Sequence, residues 1–415
     1  MRDRDLYARI LGVEAPWSVV DVELTEDHVE VFVEHSGRGL TCPTCGSTTP
    51  RYDSRRRSWR HLDTCQLKTI ITADVPRVVC EEHGVHQIAV PWAEPRSGFT
   101  AMFECLVIDW LMAASIKAVA ERLRCTWAQV DGIRDRAVAR GLARRDAEER
   151  PSVEHLAVDE TSFQKRHEYV TVVSDATKSR VLYVADGRDR ETFSDFFWDT
   201  PLDKVLAIKS ISMDMWRPYI DTAMGHIEDA EKKICFDRFH VAAYFNKAVN
   251  DVRKAEHRAL TKAGDDRLSR TRGLWLKNEE NLTDKQRVRF EDLKTQALEV
   301  ARAWAMKETA RGLWSYVKRG WARKAWERLI AWMRSSQLRP MEKLADMLER
   351  HLEGIINAIV LGRSNAKAES INTRIQMLKK LACGYRNRDR FRSAIYFHLG
   401  GLDLKPRLAQ AHTNS

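Results

Sequence analysis

The chain has 415 residues, of which 44% are hydrophobic and 31% charged, and its formal net charge is +10. This is enough apolar material for real cores, so a largely disordered chain is excluded, and the length suggests about two to three domains. No apolar run approaches the roughly 20 residues that span a bilayer and no secretory signal opens the chain, so we expect a cytoplasmic protein without a membrane partner.

The N-terminal region predicts β-structure. Residues 17–34 alternate apolar and polar side chains around Thr25, Glu26 and Asp27, which indicates a β-hairpin, and a second β-rich run covers residues 67–79. Between them lies a basic strip formed by Arg55, Arg56, Arg57 and Arg60.

Two short motifs flank the second β-rich run, Cys42 with Cys45 and Cys80 with His83. A gap of two residues lets both side chains of a pair reach one tetrahedral Zn²⁺. The layout predicts a zinc ribbon with a structural Zn²⁺. His86, and less favourably Cys65, are alternatives for the fourth ligand, and idle thiols are the alternative to a metal site.

Residues 115–123 have apolar side chains at helical spacing, and Thr126 precedes a second helical pattern over residues 127–142. Two short helices with a tight turn fit a helix-turn-helix motif. Its second helix would enter a major groove and offer Gln129, Arg134 and Arg136. The alternative is a plain helical hairpin that supports the ribbon, but the nearby basic strip favours DNA binding.

Beyond Pro151, acidic residues follow strands rich in Val and Ile. Asp159, Asp214 and Asp237 each end such a run, and Glu369 lies in a predicted helix with Asn365 and Asn372 on the same face. About three carboxylates from separate elements can hold two Mg²⁺ ions for phosphoryl transfer. A chain with 59 acidic residues offers many such triples, so the pattern alone favours ordinary strand-end carboxylates.

Several dispersed motifs, taken together, resemble those of the DDE transposases of bacterial insertion sequences, of the ISL-three group. The matching segments are Cys42-Pro-Thr-Cys45-Gly46 with Cys80, Val158-Asp159-Glu160-Thr161, Gly187-Arg188-Asp189, Ser212-Met213-Asp214-Met215-Trp216, Phe236-Asp237-Arg238-Phe239-His240-Val241, residues 364–372 (SNAKAESIN) and Gly384-Tyr385-Arg386-Asn387. The resemblance covers residues 40 to 400. This chain departs from the family at His83, where cysteine is usual, and at Ser364, where the family has threonine.

The resemblance implies a multidomain α/β fold, in which a ribonuclease H-like mixed sheet is interrupted by an all-helical insertion. Its catalytic residues fall on Asp159, Asp214 and Glu369, which would hold two Mg²⁺, with Mn²⁺ as an alternative. Asp237 is the other candidate for the second aspartate, or a residue that contacts the substrate or supports the site. Strand order favours Asp214.

The expected domains are residues 1–95 (β-rich zinc ribbon), 96–150 (helix-turn-helix and linker), 151–240 (catalytic, first part), 241–360 (helical insertion) and 361–415 (catalytic, C-terminal helical part). Tryptophans interleave with basic residues in the insertion, where they can stack on unpaired nucleotides or, as we favour, pack a helical core. Basic residues also follow Glu369.

These observations predict Mg²⁺-dependent cleavage at insertion-sequence ends and strand transfer into target DNA. The expected partners are double-stranded DNA with terminal inverted repeats, target DNA and a second copy in a homodimer, in the cytoplasm at the nucleoid. The side chains expected at DNA are Arg55, Arg56, Arg57, Arg60, Gln129, Arg134, Arg136, Arg238, His240, Asn372, Lys379 and Arg386. The alternatives are a non-catalytic zinc-ribbon and helix-turn-helix DNA-binding regulator, or a nuclease that cuts without joining.

Overall fold

The computed structural model describes residues 3–37, 39–147, 152–164, 168–296, 298–363 and 366–407. The chain forms two compact units, one of Met1–Glu149 with Tyr396–Ser415 and the other of Arg150–Ile395. Within the described ranges, every helix is too short or too polar to serve as a membrane span.

The first unit begins with a β-rich part and continues with three helices. Its elements are α1 (Asp3–Leu11), β1 (Trp17–Leu24), β2 (His28–His35), β3 (Leu40–Thr41), β4 (Thr48–Thr49), β5 (Arg51–Thr64), β6 (Leu67–Cys80), β7 (Gly84–Gln87), α2 (Ala101–Leu111), α3 (Ile116–Arg122) and α4 (Trp127–Ala147). The main sheet has the order β1-β2-β6-β5, with β7 added to β6. Alternate residues of β2 are buried, because successive side chains of a strand point to opposite faces.

The helices of this unit begin at capping residues. The side chain of Thr100 accepts a hydrogen bond at the start of α2, and Ser115 does the same for α3. Arg124 adopts a left-handed conformation (φ 54°) in the turn between α3 and α4. The second helix of this pair continues to Ala147, beyond the predicted end at residue 142.

The C-terminal segment of the chain completes this unit. Phe397 and Leu404 belong to the hydrophobic core of α2, α3 and α4. Gly141 lies so close to the segment that a Cβ there would be 2.7 Å from Leu402 Cβ. The helical core therefore includes residues that are far from α2, α3 and α4 in the sequence.

The second unit combines a mixed sheet with many helices. Its elements are β8 (His155–Gln164), β9 (Glu168–Asp175), β10 (Arg180–Asp186), α5 (Arg190–Trp198), α6 (Leu202–Leu206), β11 (Ser210–Met213), α7 (Arg217–His226), α8 (Ala230–Lys233), β12 (Ile234–Phe236), α9 (Arg238–Lys262), α10 (Arg272–Leu276), α11 (Asp284–Thr295), α12 (Glu299–Gly312), α13 (Arg319–Arg334), α14 (Arg339–Arg350), α15 (Leu352–Val360), α16 (Ala366–Leu381) and α17 (Arg388–Leu399), whose last residues belong to the first unit.

The sheet of the second unit has the order β10-β9-β8-β11-β12. β8, β9 and β10 are antiparallel neighbours, whereas β8, β11 and β12 run parallel. The carboxyl ends of the parallel strands therefore meet at one edge of the sheet. β8 does not end at Asp159, as its apolar run suggested, but pairs with β9 as far as Gln164.

Helix α15 packs against strand β12 at this edge. Gly354 packs against Phe236 so closely that a Cβ would meet its ring at 2.5 Å. The fully buried Asn357 donates from Nδ2 to the carbonyl oxygen of Ile234 at 2.9 Å. Helices between β12 and α16 thus position the last strand of the sheet.

The tryptophans of the helical segment differ in burial. Trp326 is fully buried, and Trp304 and Trp314 pack against the same core. Trp321 and Trp332 are 62% and 41% exposed. Core packing therefore accounts for part of the tryptophan cluster and leaves the rest at the surface.

Candidate carboxylate site and zinc centre

Three aspartates lie level with one another, one within a strand and two directly after the adjacent parallel strands. Ala157 of β8 pairs with Ser212 of β11, which pairs with Cys235 of β12. Asp159, Asp214 and Asp237 each stand two residues beyond this row. Strand register therefore brings residues that are far apart in sequence to one edge of the sheet.

Asp159 is largely enclosed by protein. Its Oδ2 accepts a hydrogen bond of 2.8 Å from Asn372 Nδ2, and its Oδ1 accepts one of 2.8 Å from the backbone N–H of Glu160. Burial raises the pKa of the Asp159 carboxyl to about 6, and the negative charges of Glu160 and Asp214 act in the same direction. A nearby cation would stabilise the ionised form of this carboxylate.

Asp214 and Asp237 differ in exposure. The side chain of Asp214 is 31% exposed, and His240 Nδ1 lies 3.5 Å from its Oδ1. Asp237 is 3% exposed and immediately precedes α9, and its backbone N–H donates to the carbonyl oxygen of Met213 at 3.2 Å. Of the two, Asp214 is the carboxylate that a ligand can reach.

Helix α16 runs beside β8 and in the same direction. Asn372 contacts Asp159, Gln376 Nε2 donates to Thr161 Oγ1 at 2.8 Å, and Lys379 Nζ donates to the carbonyl oxygen of Ser162 at 2.6 Å. Glu369 is exposed and lies one turn before Asn372 on this helix. Ser364 and Asn365 lie outside the described residues.

The donor set suits hard divalent cations, which take carboxylate and amide oxygens as ligands. Among the described residues, the carboxylates of this site do not form a group whose ligand atoms all lie within 4.8 Å of one another. A two-cation site does not require such a group, because carboxylates can bind separate ions about 4 Å apart. The half-buried carboxylate of Asp159, level with that of Asp214, is the observation that fits a cation here.

Sequence reasoning did not place Arg188 at this site, although the Gly187-Arg188-Asp189 motif marks it. Arg188 NH1 lies 3.3 Å from Glu160 Oε1. Its guanidinium lies 4.6 Å from the ring centroid of Tyr169 and 5.0 Å from that of Trp216. The two rings therefore keep the positively charged guanidinium of Arg188 beside Glu160, the residue that follows Asp159.

A second candidate metal centre lies in the first unit. Cys42, Cys45, Cys80 and His83 place one ligand atom each within 4.8 Å of one another. The sulfurs of Cys45 and Cys80 are 3.7 Å apart, and Cys80 Sγ is 3.5 Å from His83 Nδ1. Three thiols and one imidazole are a usual ligand set for structural Zn²⁺.

The two alternative zinc ligands, His86 and Cys65, are not part of this group of four residues. His86 uses its Nε2 to contact the carbonyl oxygen of His83 at 2.6 Å, and Cys65 is exposed in the turn between β5 and β6. Hydrogen bonds from the backbone N–H groups of Cys45 and Thr44 lower the pKa of the Cys42 thiol to about 7, which favours the thiolate that binds zinc.

The second helix of the helix-turn-helix offers fewer contacts than its sequence suggested. Arg134 is 3% exposed and pairs with Asp131 at 2.6 Å, and Arg136 pairs with the buried Glu104 at 2.6 Å. Gln129 is exposed, but its Oε1 accepts from the backbone N–H of Thr126 and caps α4. The Asp131–Arg134 pair could have been anticipated from its spacing on the helix.

The predicted basic strip does not form one surface, because neighbouring residues of a strand face opposite ways. Arg55 and Arg56 are exposed. Arg57 donates to the carbonyl oxygen of Ser97 at 2.9 Å, and Arg60 pairs with Asp63. Arg55 and Arg56 are the two exposed members of the strip, and the Arg56 guanidinium lies 5.5 Å from the ring centroid of Phe32.

The predicted DNA contacts of the second unit lie at the start of α9, along α16 and beyond its end. Arg238 is exposed at the start of α9, and its guanidinium lies 5.9 Å from the ring centroid of Trp314. Lys379 is held by Ser162, and burial lowers the pKa of its amine. Arg386 is exposed beyond the end of α16.

Comparisons with known proteins cover nearly the whole chain. Residues 156–395 match a family described as "Transposase", residues 38–83 the "zinc-finger of transposase IS204/IS1001/IS1096/IS1165", and residues 88–138 the "Helix-turn-helix domain of transposase family ISL3".

Two relatives are similar along nearly their whole length. The chain is 30% identical over 424 residues to the transposase for insertion sequence element IS1557 of Mycobacterium tuberculosis, with 93% of each chain covered. It is 27% identical over 399 residues to the transposase for insertion sequence element IS1001 of Bordetella parapertussis, with 94% of this chain and 97% of that protein covered.

Proposed function

The chain belongs to transposase family ISL3, and on this premise we propose how its residues process DNA. It is a DDE transposase, an enzyme that cleaves and transfers DNA. The non-catalytic regulator is not favoured, because the match to the transposase domain covers residues 156–395.

The proposed catalytic residues are Asp159, Asp214 and Glu369, on a sheet of ribonuclease H-like topology. The strand order β10-β9-β8-β11-β12, with only the last three strands parallel, supports that topology. The hydrogen bond from Asn372 to Asp159 carries the assignment of Glu369, because it brings the helix of Glu369 to the strand of the first aspartate.

Asp214 is the proposed second cation ligand, because it is accessible and lies level with Asp159. Asp237 is nearly inaccessible and is assigned a positioning role at the start of α9. His240, beside Asp214, would orient that carboxylate or contact the DNA backbone.

These three carboxylates would hold two Mg²⁺ ions, with Mn²⁺ as an alternative. Such ions lower the pKa of an attacking water or 3′-hydroxyl and stabilise the leaving oxygen of an in-line transfer. The protein's own contribution is to bind and orient DNA. Asn372 holds Asp159 in place, while Arg238, Arg386 and Lys379 supply positive charge around the carboxylate edge.

The zinc ribbon and the helix-turn-helix would recognise the terminal inverted repeats of the element, with Arg55 and Arg56 at the phosphate backbone. Joining two ends to one target requires two active sites, so we propose a homodimer. Since its substrates lie in the bacterial nucleoid, the protein would act in the cytoplasm.

A strand-transfer assay tests this function. The full chain is incubated with duplex DNA that carries the element's ends, with supercoiled target DNA, and with Mg²⁺, Ca²⁺ or a chelator. We expect cleavage and joined products in the presence of Mg²⁺, and neither in the presence of Ca²⁺ or the chelator. Cleavage without joining would instead indicate a nuclease, and DNA binding without cleavage would indicate a regulator.

A further inference from the structure

Arg188 lies in a short turn between β10 and α5, and hydrogen bonds fix the backbone on both sides of it. Before it, Gly187 has a positive φ of 99°, and its carbonyl oxygen accepts from Thr171 Oγ1 at 2.9 Å. After it, Asp189 caps α5 by accepting from the backbone N–H of Thr192 at 2.8 Å. The side chain of Arg188 therefore starts from a defined position.

The same turn is joined to strands β8 and β11, which carry or precede the first two proposed catalytic aspartates. Trp216, two residues beyond Asp214, donates from Nε1 to the carbonyl oxygen of Arg188 at 3.2 Å. Thr171, whose hydroxyl contacts the turn, pairs with Glu160 in the register of β8 and β9. Arg188 is therefore connected to the segment after β11 and, through β9, to β8.

Aromatic rings flank the guanidinium of Arg188. Its central carbon lies 4.6 Å from the ring centroid of Tyr169 and 5.0 Å from that of Trp216. Such rings attract a cation without cancelling its charge, whereas a close carboxylate cancels it. Arg136 shows the contrast, because the buried Glu104 pairs with it at 2.6 Å. The rings therefore orient Arg188 and leave it positively charged.

Glu160 takes up only part of the hydrogen-bonding capacity of this guanidinium. Among the described residues it is the one acid within 4.0 Å, and its Oε1 lies 3.3 Å from Arg188 NH1. A well-formed charge-assisted hydrogen bond is shorter, about 2.8 Å. A guanidinium has five N–H donors, and the Arg188 side chain is 40% exposed. Donors are therefore available to an anion that arrives from solvent.

The position of Arg188 relative to the carboxylates indicates which anion this is. Glu160 directly follows Asp159, and neighbouring residues of a strand face opposite ways. Asp159 faces α16, where Asn372 donates to it, so Arg188 lies at the other face of β8. A DNA strand whose scissile phosphate lies at the carboxylates would pass Arg188 with a neighbouring phosphate. The planar fork of an arginine can bind two oxygens of one phosphate.

We propose that Arg188 binds a phosphate of the cut DNA strand beside the scissile one and so aligns that strand on the carboxylates. The proposal rests on the proposed function and adds a substrate-binding residue to it. Tyr169 and Trp216 orient the guanidinium, and the hydrogen bonds of Gly187 and Asp189 fix its backbone. Loss of one such phosphate contact should weaken DNA binding roughly 10-fold.

The test removes the arginine and, separately, the charge of single phosphates. Duplex DNA ends carry one neutral methylphosphonate at each position near the cut in turn, on either strand, and are titrated with the full chain in Ca²⁺. The wild type should lose roughly 10-fold in affinity when the phosphate at Arg188 is neutral. Arg188→Ala should bind unmodified DNA equally weakly and show no further loss at that one position, which must lie on the cut strand.

Arg190→Ala is the matched control, because Arg190 is an exposed arginine two residues further along the chain. It should keep the loss at the position where Arg188→Ala abolishes it. If Arg188→Ala does not fold, Arg188→Gln keeps a polar side chain beside the two rings and should give the same result. A further loss at every position in the Arg188 variants, equal to that of the wild type, would overturn the proposal.

A Glu160 variant separates direct phosphate binding from an indirect effect. If Arg188 only neutralised Glu160, adding Glu160→Gln to Arg188→Ala would restore the affinity and the dependence on every phosphate, and the proposal would be wrong. We expect the double variant to stay insensitive at the one position.

The outcome for the proposed function is read independently. If the wild type cleaves with Mg²⁺ while the Arg188 variants remain sensitive at every phosphate, the assignment of Arg188 fails and the proposed function stands. Insensitivity at one phosphate, together with a wild type that never cleaves, would support the phosphate contact and refute the proposed function.

Discussion

Asn372 donates a hydrogen bond of 2.8 Å to Asp159 across 213 positions of the sequence. The same Nδ2 lies 3.3 Å from the carbonyl oxygen of Glu160. This side chain therefore fixes helix α16 against strand β8 beside Asp159, the first of the proposed catalytic carboxylates.

Asp159→Asn should abolish DNA cleavage and strand transfer while end binding stays within about twofold of wild type. The substitution keeps the size of the side chain but removes the negative charge that a divalent cation needs. Gel-based cleavage and binding assays on the same DNA measure the two effects. Asp203→Asn, at an exposed acid on α6, is the matched control and should remain active. Cleavage by Asp159→Asn at the wild-type rate would remove Asp159 from the site.

Asn372→Ala should lower the cleavage rate by about 10- to 100-fold, as loss of a group that orients a metal ligand typically does. Higher Mg²⁺ concentrations should restore part of the rate, because the free carboxylate can still bind the ion. The rate is measured as a function of Mg²⁺ concentration. Thr373→Ala, which removes only a bond from an exposed hydroxyl to the carbonyl oxygen of Glu369, is the control. Equal rates for both variants would contradict the positioning role.

Cys80→Ser should remove the zinc and unfold the ribbon, because structural zinc sites of this kind depend on all four ligands. We expect about one Zn²⁺ per chain in the wild type and little in the variant, measured by elemental analysis of the purified protein. Cys65→Ser, an exposed cysteine outside the ligand set, should keep its zinc. Loss of zinc from both variants would mean that Cys65 is a ligand.

The first unit should lose stability as the pH falls from 6.5 to 4. His61 is buried beside Thr100, and burial lowers the pKa of its imidazole to about 4. Below pH 6.5 the unfolded chain takes up a proton that the folded chain does not, so folding is progressively disfavoured down to pH 4, by up to about 3 kcal/mol. Urea denaturation at several pH values checks this. In His61→Gln the dependence on pH should be weaker by that amount, and an unchanged dependence would exclude His61 as its source.

Glu104→Gln should destabilise the first unit by about 3 to 5 kcal/mol, because two arginines would lose the buried charge that pairs with them. Glu104 is 1% exposed and accepts from Arg136 at 2.6 Å and from Arg140 at 2.9 Å. The urea midpoint of unfolding gives the effect. Glu121→Gln, which removes a surface pair with Lys117, should cost less than about 1 kcal/mol. Similar midpoints for the two variants would show that the buried network contributes little.

Local patterns predicted the parts of the site that depend on sequence spacing. The two-residue gaps of the cysteine and histidine pairs anticipated the ligand set that the structure brings together. Apolar runs likewise indicated that Asp214 and Asp237 follow strands, whereas Asp159 lies within β8. The alignment of these aspartates at one edge of the sheet depends on strand register. Register is set by pairing between distant segments and cannot be read from the sequence around each aspartate.

Tertiary pairing also explains what the sequence could not reveal about the arginines. Arg136 has the spacing of an exposed helical residue, but its partner Glu104 lies on another helix. No periodicity in the sequence around Arg188 indicates that its guanidinium lies near the rings of Tyr169 and Trp216. Such contacts arise only when the elements pack, so charge patterns along one helix or strand overestimate the positive surface available to DNA.

The return of the C-terminal segment to the first unit has a consequence for truncated chains. Phe397 and Leu404 complete the helical core near the N-terminus, and α16 supplies the partner of Asp159. Truncation before α16 should therefore leave the helical core of the first unit without two of its buried residues and Asp159 without its hydrogen-bond partner.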